Sequence, residues 1–316
     1  MASVLSEPYF HDEAAAFTAL EVILWPDGRP TCPHCGALDR INRLATQRTK
    51  PSKKHPEGRP VYGLWKCYHC KGQFTARKGT VFESSHLRLN QWFQVAYLLC
   101  SSKKGISSEL ARTLGCTVNT AWFASHRVRE AMRTGELAVP FGTDGGIVES
   151  DETFIGRRKG FPKGSAFHHK MKVLTLIDRD SGKAKSTVFT DLSTEDIAPL
   201  LRKNIAREAR LITDEGAHYK PVGREFSKHD FVSHKQKEYV RGDIYTNTVE
   251  GYFSVFKRGM KGIYQHCSER HLHRYLAEFD FRYNNRVALG VHDQDRATTA
   301  LRGIVGKRLT YRDSSV

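Results

Sequence analysis

Residues 147–155 read IVESDETFI. Apolar and β-branched residues at both ends predict a strand, yet three acids, Glu149, Asp151 and Glu152, sit near its centre. A carboxylate in mid-strand is costly unless it coordinates something. Asp151 is the leading candidate, and strand register decides which of the three acids points into a site.

Working outward, Lys172–Arg179 (KVLTLIDR) and Ala184–Asp191 (AKSTVFTD) read as two further strands joined by a turn at Asp180–Gly182. Ser193 or Thr194 then caps a helix running to about Ala209. Arg210–Thr213 (RLIT) is a short apolar strand that delivers Asp214 at its carboxyl end, where α/β folds usually place ligands. Helices follow at about Asn247–Gly259 and Glu269–Asn284. Three strands, a helix, a fourth strand and further helices is the order of an RNase H-like domain. Glu250 lies in the first of those two helices beside apolar Val249, Phe253 and Phe256. Asp151, Asp214 and Glu250, each from a separate element, suit two divalent ions, Mg²⁺ or Mn²⁺, about 4 Å apart, the arrangement used for in-line phosphoryl transfer. Lys257 follows Glu250 by seven residues, close to two helical turns, so both face one way and the lysine is placed to meet a phosphate. Taken singly, each acid reads as a solvated residue, and Asp214 is followed by a second acid, Glu215. It is their order along these elements that points to a site.

Upstream, CPHC at 32–35 and CYHC at 67–70 pair four of the seven cysteines. Each C-x-x-C turn brings two thiolates to one ion, and two such turns complete a tetrahedral Zn²⁺ shell of Cys32, Cys35, Cys67 and Cys70. The 31 residues between the pairs (36–66) include the loop Arg43–Arg59, with six Lys/Arg against one acid and two prolines. That loop reads equally as a phosphate contact or as a solvated segment. His34 and His69 fall inside the knuckles, but four sulfurs already saturate the site, so both are expected at the surface.

Residues 107–131 (SSELARTLGCTVNTAWFASHRVREA) read as two helices around a turn at Gly115, a helix-turn-helix pattern, with an ordinary helical hairpin as the plainer reading. In a DNA-reading second helix, Asn119, Thr120 and Phe123 or Ser125 face outward, Arg127 supplies charge, and Trp122 belongs to the core.

Fifty Lys+Arg against 34 Asp+Glu give a formal charge of +16. Such a surplus attracts polyanions, and with no basic amphipathic helix set apart, nucleic acid is favoured over a membrane surface. No apolar run reaches membrane-spanning length, and the acidic start MASVLSEPYFHDEAAAF lacks the layout of a signal peptide, so a cytoplasmic, nucleoid-associated protein is expected. The stretch after Gly156 (RRKGFPKGSAFHHKMK) has six Lys/Arg and no acid. Arg157, Arg158 and Lys159 there, with Lys257 and Arg258, are candidate DNA contacts beside a solvated-hairpin reading. Four segments result: 1–80 with the ribbon, 86–134 helical, 145–290 catalytic, and a polar tail at 291–316 carrying a short helix.

SDETFIG at 150–156, ITDEG at 212–216, YTNTVEGYFSVFKRGMKGIYQH at 245–266 and HLHRYLAEFDFRYNNR at 271–286, with CPHC…CYHC and LARTLGCTVNTAWFASHRVREAM at 110–132, resemble the zinc-ribbon bacterial insertion-sequence transposases with a DDE catalytic domain. The resemblance spans about residues 20–290 and is most specific over 245–286. It implies an α/β, RNase H-like catalytic domain preceded by a zinc ribbon and a helix-turn-helix. It also implies metal-dependent cutting and joining at terminal inverted repeats of double-stranded DNA, with target DNA as second substrate and a homo-oligomer on the DNA. Asp151, Asp214 and Glu250 match the family's acids and Lys257 its lysine. Two other readings stay open: a DNA-binding regulator with a relic catalytic domain, and a metal nuclease that does not join strands.

Overall fold

The computed structural model describes residues 3–53, 55–162, 164 and 167–310. Lys54, Lys163 and the end of the polar tail therefore lie outside the described residues. The chain divides into two compact units. One gathers the described residues within Met1–Ser102, Ser107–Met132 and Asp293–Ser315; the other comprises Lys103–Ile106 and Arg133–His292. Most of the first two segments read from the sequence thus falls in one unit, together with the C-terminal helix, while Lys103–Ile106 goes with the other.

In the first unit, helix α1 (Glu13–Leu24) starts at Asp12, whose side chain accepts from the Ala15 amide at 2.6 Å. Strands β1 (Ile41–Arg43), β2 (Trp65–Cys67) and β3 (Gln73–Phe74) form an antiparallel sheet in that order. The basic loop between β1 and β2 is partly structured, because Gln47–Arg48 pairs with Pro60–Val61. The ribbon's core is small: Cys32, Cys67 and Phe74 are buried, with Trp25 and Trp65 packed against them. Helices α2 (Leu89–Ser101), α3 (Ser108–Leu114) and α4 (Val118–Met132) follow. Gly115 ends α3 at φ 61°, a left-handed conformation cheap only for glycine. The Thr117 hydroxyl accepts from the Thr120 amide at the start of α4.

Helix α4 corrects two readings. Arg127 is buried: its guanidinium donates to the Leu309 and Glu83 carbonyls, both at 3.1 Å, and lies over the Phe123 ring. It is committed inside the unit and not spread on the surface. Trp122 is exposed and meets the His126 ring edge to face, whereas Ser125 is buried. Asn119 and Thr120 are exposed, as expected. The short helix of the polar tail, Asp293–Arg302, buries Ala297, Ala300 and Leu301, and Arg296 donates to the Cys100 carbonyl at 2.8 Å.

The second unit is built on a five-stranded mixed sheet. Strands β4 (Ile147–Ile155), β5 (Met171–Asp178) and β6 (Lys183–Phe189) form an antiparallel meander. Strand β7 (Arg210–Thr213) lies parallel to β4 on its other side, and β8 (Lys228–Phe231) lies parallel to β7. The order is β8-β7-β4-β5-β6. All eight residues of β5 are buried, because helices cover both faces, which explains its near-continuous apolar sequence. Alternation splits the core. Val148, Leu174 and Leu176 meet helix α5 (Thr194–Asn204) on one face. Ile155, Val173 and Ile177 meet α6 (Asn247–Gly259) and α7 (Glu269–Asn284) on the other.

Helix α5 is capped by Ser193 as expected but stops five residues early. Ile205 turns extended, and the Asn204 carbonyl and the Ala206 amide bond to the backbone of Phe141 instead. Strand β8, KHDF, has no counterpart in the sequence reading. On the face opposite α5, α6 buries Val249, Tyr252, Phe253 and Phe256 at helical spacing. Asp280 on α7, itself buried, accepts from Tyr252 of α6 (2.6 Å) and from both the amide and hydroxyl of Ser186 on β6 (2.7 Å each). That network joins two helices to the sheet beneath them.

Candidate active site

Register brings the first two acids together. Strands β4 and β7 pair as Ile147↔Arg210, Val148↔Leu211 and Glu149↔Ile212. Continuing that register sets Asp151 level with Asp214, just past the end of β7. Oxygens of Asp151, Glu152 and Asp214 all lie within 4.8 Å of one another. The Gly216 amide donates to Asp214 at 2.9 Å, and a Cβ at Gly216 would stand 2.9 Å from that same oxygen and 2.6 Å from the His218 ring. Glycine is what lets the chain turn so closely under the carboxylate.

Each of the three acids of β4 has a different surrounding. Glu149 is fully buried and bonded to Arg179 and to the start of α6. Asp151 is half-buried, and Glu152 pairs with His218 at 2.7 Å. Burial pushes the Asp151 carboxyl up to about 8, and the charges of Glu152, Asp214 and Glu250 add to the rise. Like charges gathered in a half-buried place are what a divalent cation relieves, and oxygen donors of this kind suit Mg²⁺ or Mn²⁺.

Glu250 is not part of the tight group. Its side chain is 46% exposed, in the first turn of α6, 3.6 Å from His234. It acts on Asp151 through its charge. Lys257, two turns on, lies over Phe253. Burial holds its ammonium below the ordinary value, while Asp151 and Glu250 pull it back up, so Lys257 belongs to the same electrostatic neighbourhood. Lys257→Ala is expected to slow cleavage or loosen DNA-end binding about tenfold or more, the scale of one charged hydrogen bond; a wild-type rate would return it to the solvated residues.

The basic residues near the site divide. Lys159 is exposed, and Arg157 is exposed with its guanidinium on the Phe161 carbonyl. Arg158 is half-buried, with Glu269 at 3.0 Å and the Phe161 ring against its guanidinium. Arg258 is exposed and bonded to Ser254. Two residues with a part in the site, Arg179 and His218, were not singled out in the sequence. The alternation of β4 puts Glu149 on the face of Asp151, but the partners of these acids lie far along the chain.

In the other unit, the Sγ atoms of Cys32 and Cys70 are 3.7 Å apart, as are those of Cys35 and Cys67, and all four lie within 4.8 Å. A tetrahedron with arms of about 2.3 Å has edges of about 3.8 Å, so the four sulfurs fit one Zn²⁺. His34 and His69 are exposed, the latter bonded to Asp39.

Comparison with known proteins finds a transposase domain over each of these two regions. Residues 11–73 match the transposase zinc-ribbon domain, and residues 144–284 match the ISXO2-like transposase domain. A Halobacterium salinarum protein, described as an uncharacterized protein in transposable element ISH50, is 26% identical over 292 residues, covering 86% of this chain and 91% of that one. Among solved structures, a chain of the simian T-cell lymphotropic virus intasome in complex with PP2A regulatory subunit B56 gamma aligns at 12% identity with a TM-score of 0.29. The alignment covers 57% of this chain and 66% of that one, just under two thirds of its length. With a transposase zinc ribbon followed by a DDE-type transposase domain on a mixed α/β frame, the chain belongs to the zinc-ribbon insertion-sequence transposases.

Proposed function

We propose that this protein binds the terminal inverted repeats of its own element and catalyses metal-dependent cleavage and strand transfer there. The observation that carries the reading is the level placement of Asp151 on β4 and Asp214 just past the end of the adjacent parallel strand β7, with their oxygens within 4.8 Å. Asp151, Asp214 and Glu250 would hold divalent cations. Bound there, such cations supply charge neutralisation at the phosphate and lower the pKa of an attacking water or 3′-hydroxyl. Lys257 would hold a phosphate of the DNA end, with exposed Arg157, Lys159 and Arg258 beside it. In the other unit, α3 and α4 would act as a helix-turn-helix, with Asn119 and Thr120 towards the groove. The zinc ribbon would add phosphate contacts through its basic loop. The active form is a homo-oligomer on DNA, working in the cytoplasm on the nucleoid. No helix among the described residues is long and apolar enough to cross a membrane.

The acids also weigh against a relic. An ionised Asp151 crowded by three other carboxylates costs the folded protein stability, so a chain released from catalysis gains by losing it. The test is a strand-transfer assay on terminal-repeat DNA taken from the flanks of the gene, with Mg²⁺ and then Mn²⁺. Joined product is the expected result. Nicked DNA without joining would make the protein a nuclease, and specific binding without cleavage in either metal would make it a DNA-binding regulator.

A further inference from the structure

We propose that Glu149 and Arg179 form a positioning pair that sets the place of Glu250 relative to Asp151; the inference rests on the reading of these two acids as metal ligands. Helix α6 starts without a local cap, since Thr246 makes no side-chain capping bond. The cap comes instead from β4, about a hundred residues upstream. One Glu149 oxygen accepts from the amides of Thr248 (3.1 Å) and Val249 (3.0 Å). The other accepts from the Thr248 hydroxyl and from Arg179 Nε, both at 2.7 Å. A carboxylate with no exposed surface is tolerable only when its lone pairs are filled in this way, and the positive end of the helix favours it further.

Arg179 fixes the approach to the helix. Its two remaining nitrogens donate to the Asp243 and Tyr245 carbonyls, each at 2.7 Å, and its guanidinium lies 3.7 Å from the Tyr245 ring centre. The chain that enters α6 and the first turn of α6 are therefore both tied to one buried ion pair.

The lever is short. Glu149 lies two residues from Asp151 on the same face of β4, and Val249, whose amide it holds, immediately precedes Glu250. Glu250 itself is half-exposed and outside the tight acidic group, so its own contacts do little to hold it. Any slip of the first turn of α6 would move the third acid away from the other two.

The experiment uses the full zinc-loaded chain and Glu149→Gln, a carboxamide of the same shape whose NH₂ group meets donors where the carboxylate accepted. Three quantities are measured: Mn²⁺ binding without DNA, by electron paramagnetic resonance; cleavage as a function of metal concentration; and hydrogen exchange at the Thr248 and Val249 amides. Expected are faster exchange at both amides, unchanged DNA-end binding without divalent metal, and a Mn²⁺ midpoint raised about 10–100-fold, the scale for residues that orient metal ligands. Arg179→Lys is expected to shift the midpoint the same way by less. Faster amide exchange with wild-type Mn²⁺ binding would overturn the proposal. If Glu149→Gln does not fold, Thr248→Val removes one of the four bonds, and an unshifted midpoint there would overturn it equally. A wild type that binds Mn²⁺ but neither cleaves nor joins DNA would defeat the transposase reading alone, because the midpoint shift is measured without DNA.

Discussion

Asp151→Asn is expected to abolish cleavage and joining while raising the melting temperature of the protein in the absence of Mg²⁺ and Mn²⁺. The loss of activity is what the proposed role of Asp151 as a metal ligand requires, since its carboxylate lies where those of Asp214 and Glu152 converge. A fall of at least a thousandfold, about 4 kcal/mol in the barrier, is the expected scale. The gain in stability follows from the same crowding. Folded Asp151 holds its proton up to about pH 8, against an ordinary value of 3.8. The folded state therefore binds that proton more tightly than the unfolded chain does. Its contribution to stability is complete below about 3.8 and lost as pH rises to about 8. Above that, the wild type folds around an ionised, half-buried carboxylate repelled by its neighbours, and the asparagine variant does not. Calorimetry of zinc-loaded protein should show the variant melting higher at pH 8, with the difference shrinking towards pH 5. Added Mn²⁺ should raise the wild type more than the variant. A variant that melts lower at both pH values would make Asp151 a structural residue, and one that still cleaves would remove it from the chemistry.

Much of the catalytic frame was legible because its signals are local. Strand β4 shows its ends in β-branched and apolar residues. Strand β7 is an apolar run of four that stops at an acid. Helices α6 and α7 begin and end where the sequence placed them, since apolar residues such as Leu272, Tyr275, Leu276 and Phe279 of α7 recur at helical spacing. What was missed depends on partners distant in the chain. Strand β8 is an edge strand whose KHDF sequence has no apolar face and which pairs through its backbone with β7. The early end of α5 is set by Phe141, and the inward turn of Arg127 by the carbonyl of Leu309, 182 residues away. Helix α4 is buried around most of its circumference, so its periodicity gave little guidance on which side Trp122 would take. Among Glu149, Asp151 and Glu152, alternation separates the faces. It does not say that the first of them caps a helix a hundred residues on.

Cys67→Ser is expected to empty the zinc site and unfold the ribbon while leaving the α/β unit intact. Cys67 has no exposed surface, and its sulfur stands 3.7 Å from that of Cys35. A serine hydroxyl at that position is a harder, more weakly acidic donor on a shorter bond, and three thiolates no longer close the tetrahedron. The ribbon has little else to hold it. Its sheet has three strands of two or three residues, and its buried core outside the cysteines is Phe74, with Trp25, Ala37, Ile41 and Trp65 partly buried around it. An apolar cluster of that size cannot offset the entropy of ordering the segment, whereas a structural zinc ion supplies on the order of 10–16 kcal/mol in small zinc-dependent peptides. Zinc per chain should fall from one to near zero, and amides of residues 32–74 should lose protection from hydrogen exchange. Strands β4 and β5, with a core of their own on each face of the sheet, should keep theirs. Binding to terminal-repeat DNA should weaken about tenfold or more, because the basic loop would lose its fixed shape and its phosphate contacts with it. Unchanged zinc content would sink the four-thiolate site. Lost zinc with unchanged DNA affinity would leave the site standing and move end recognition to the exposed start of α4, at Asn119 and Thr120.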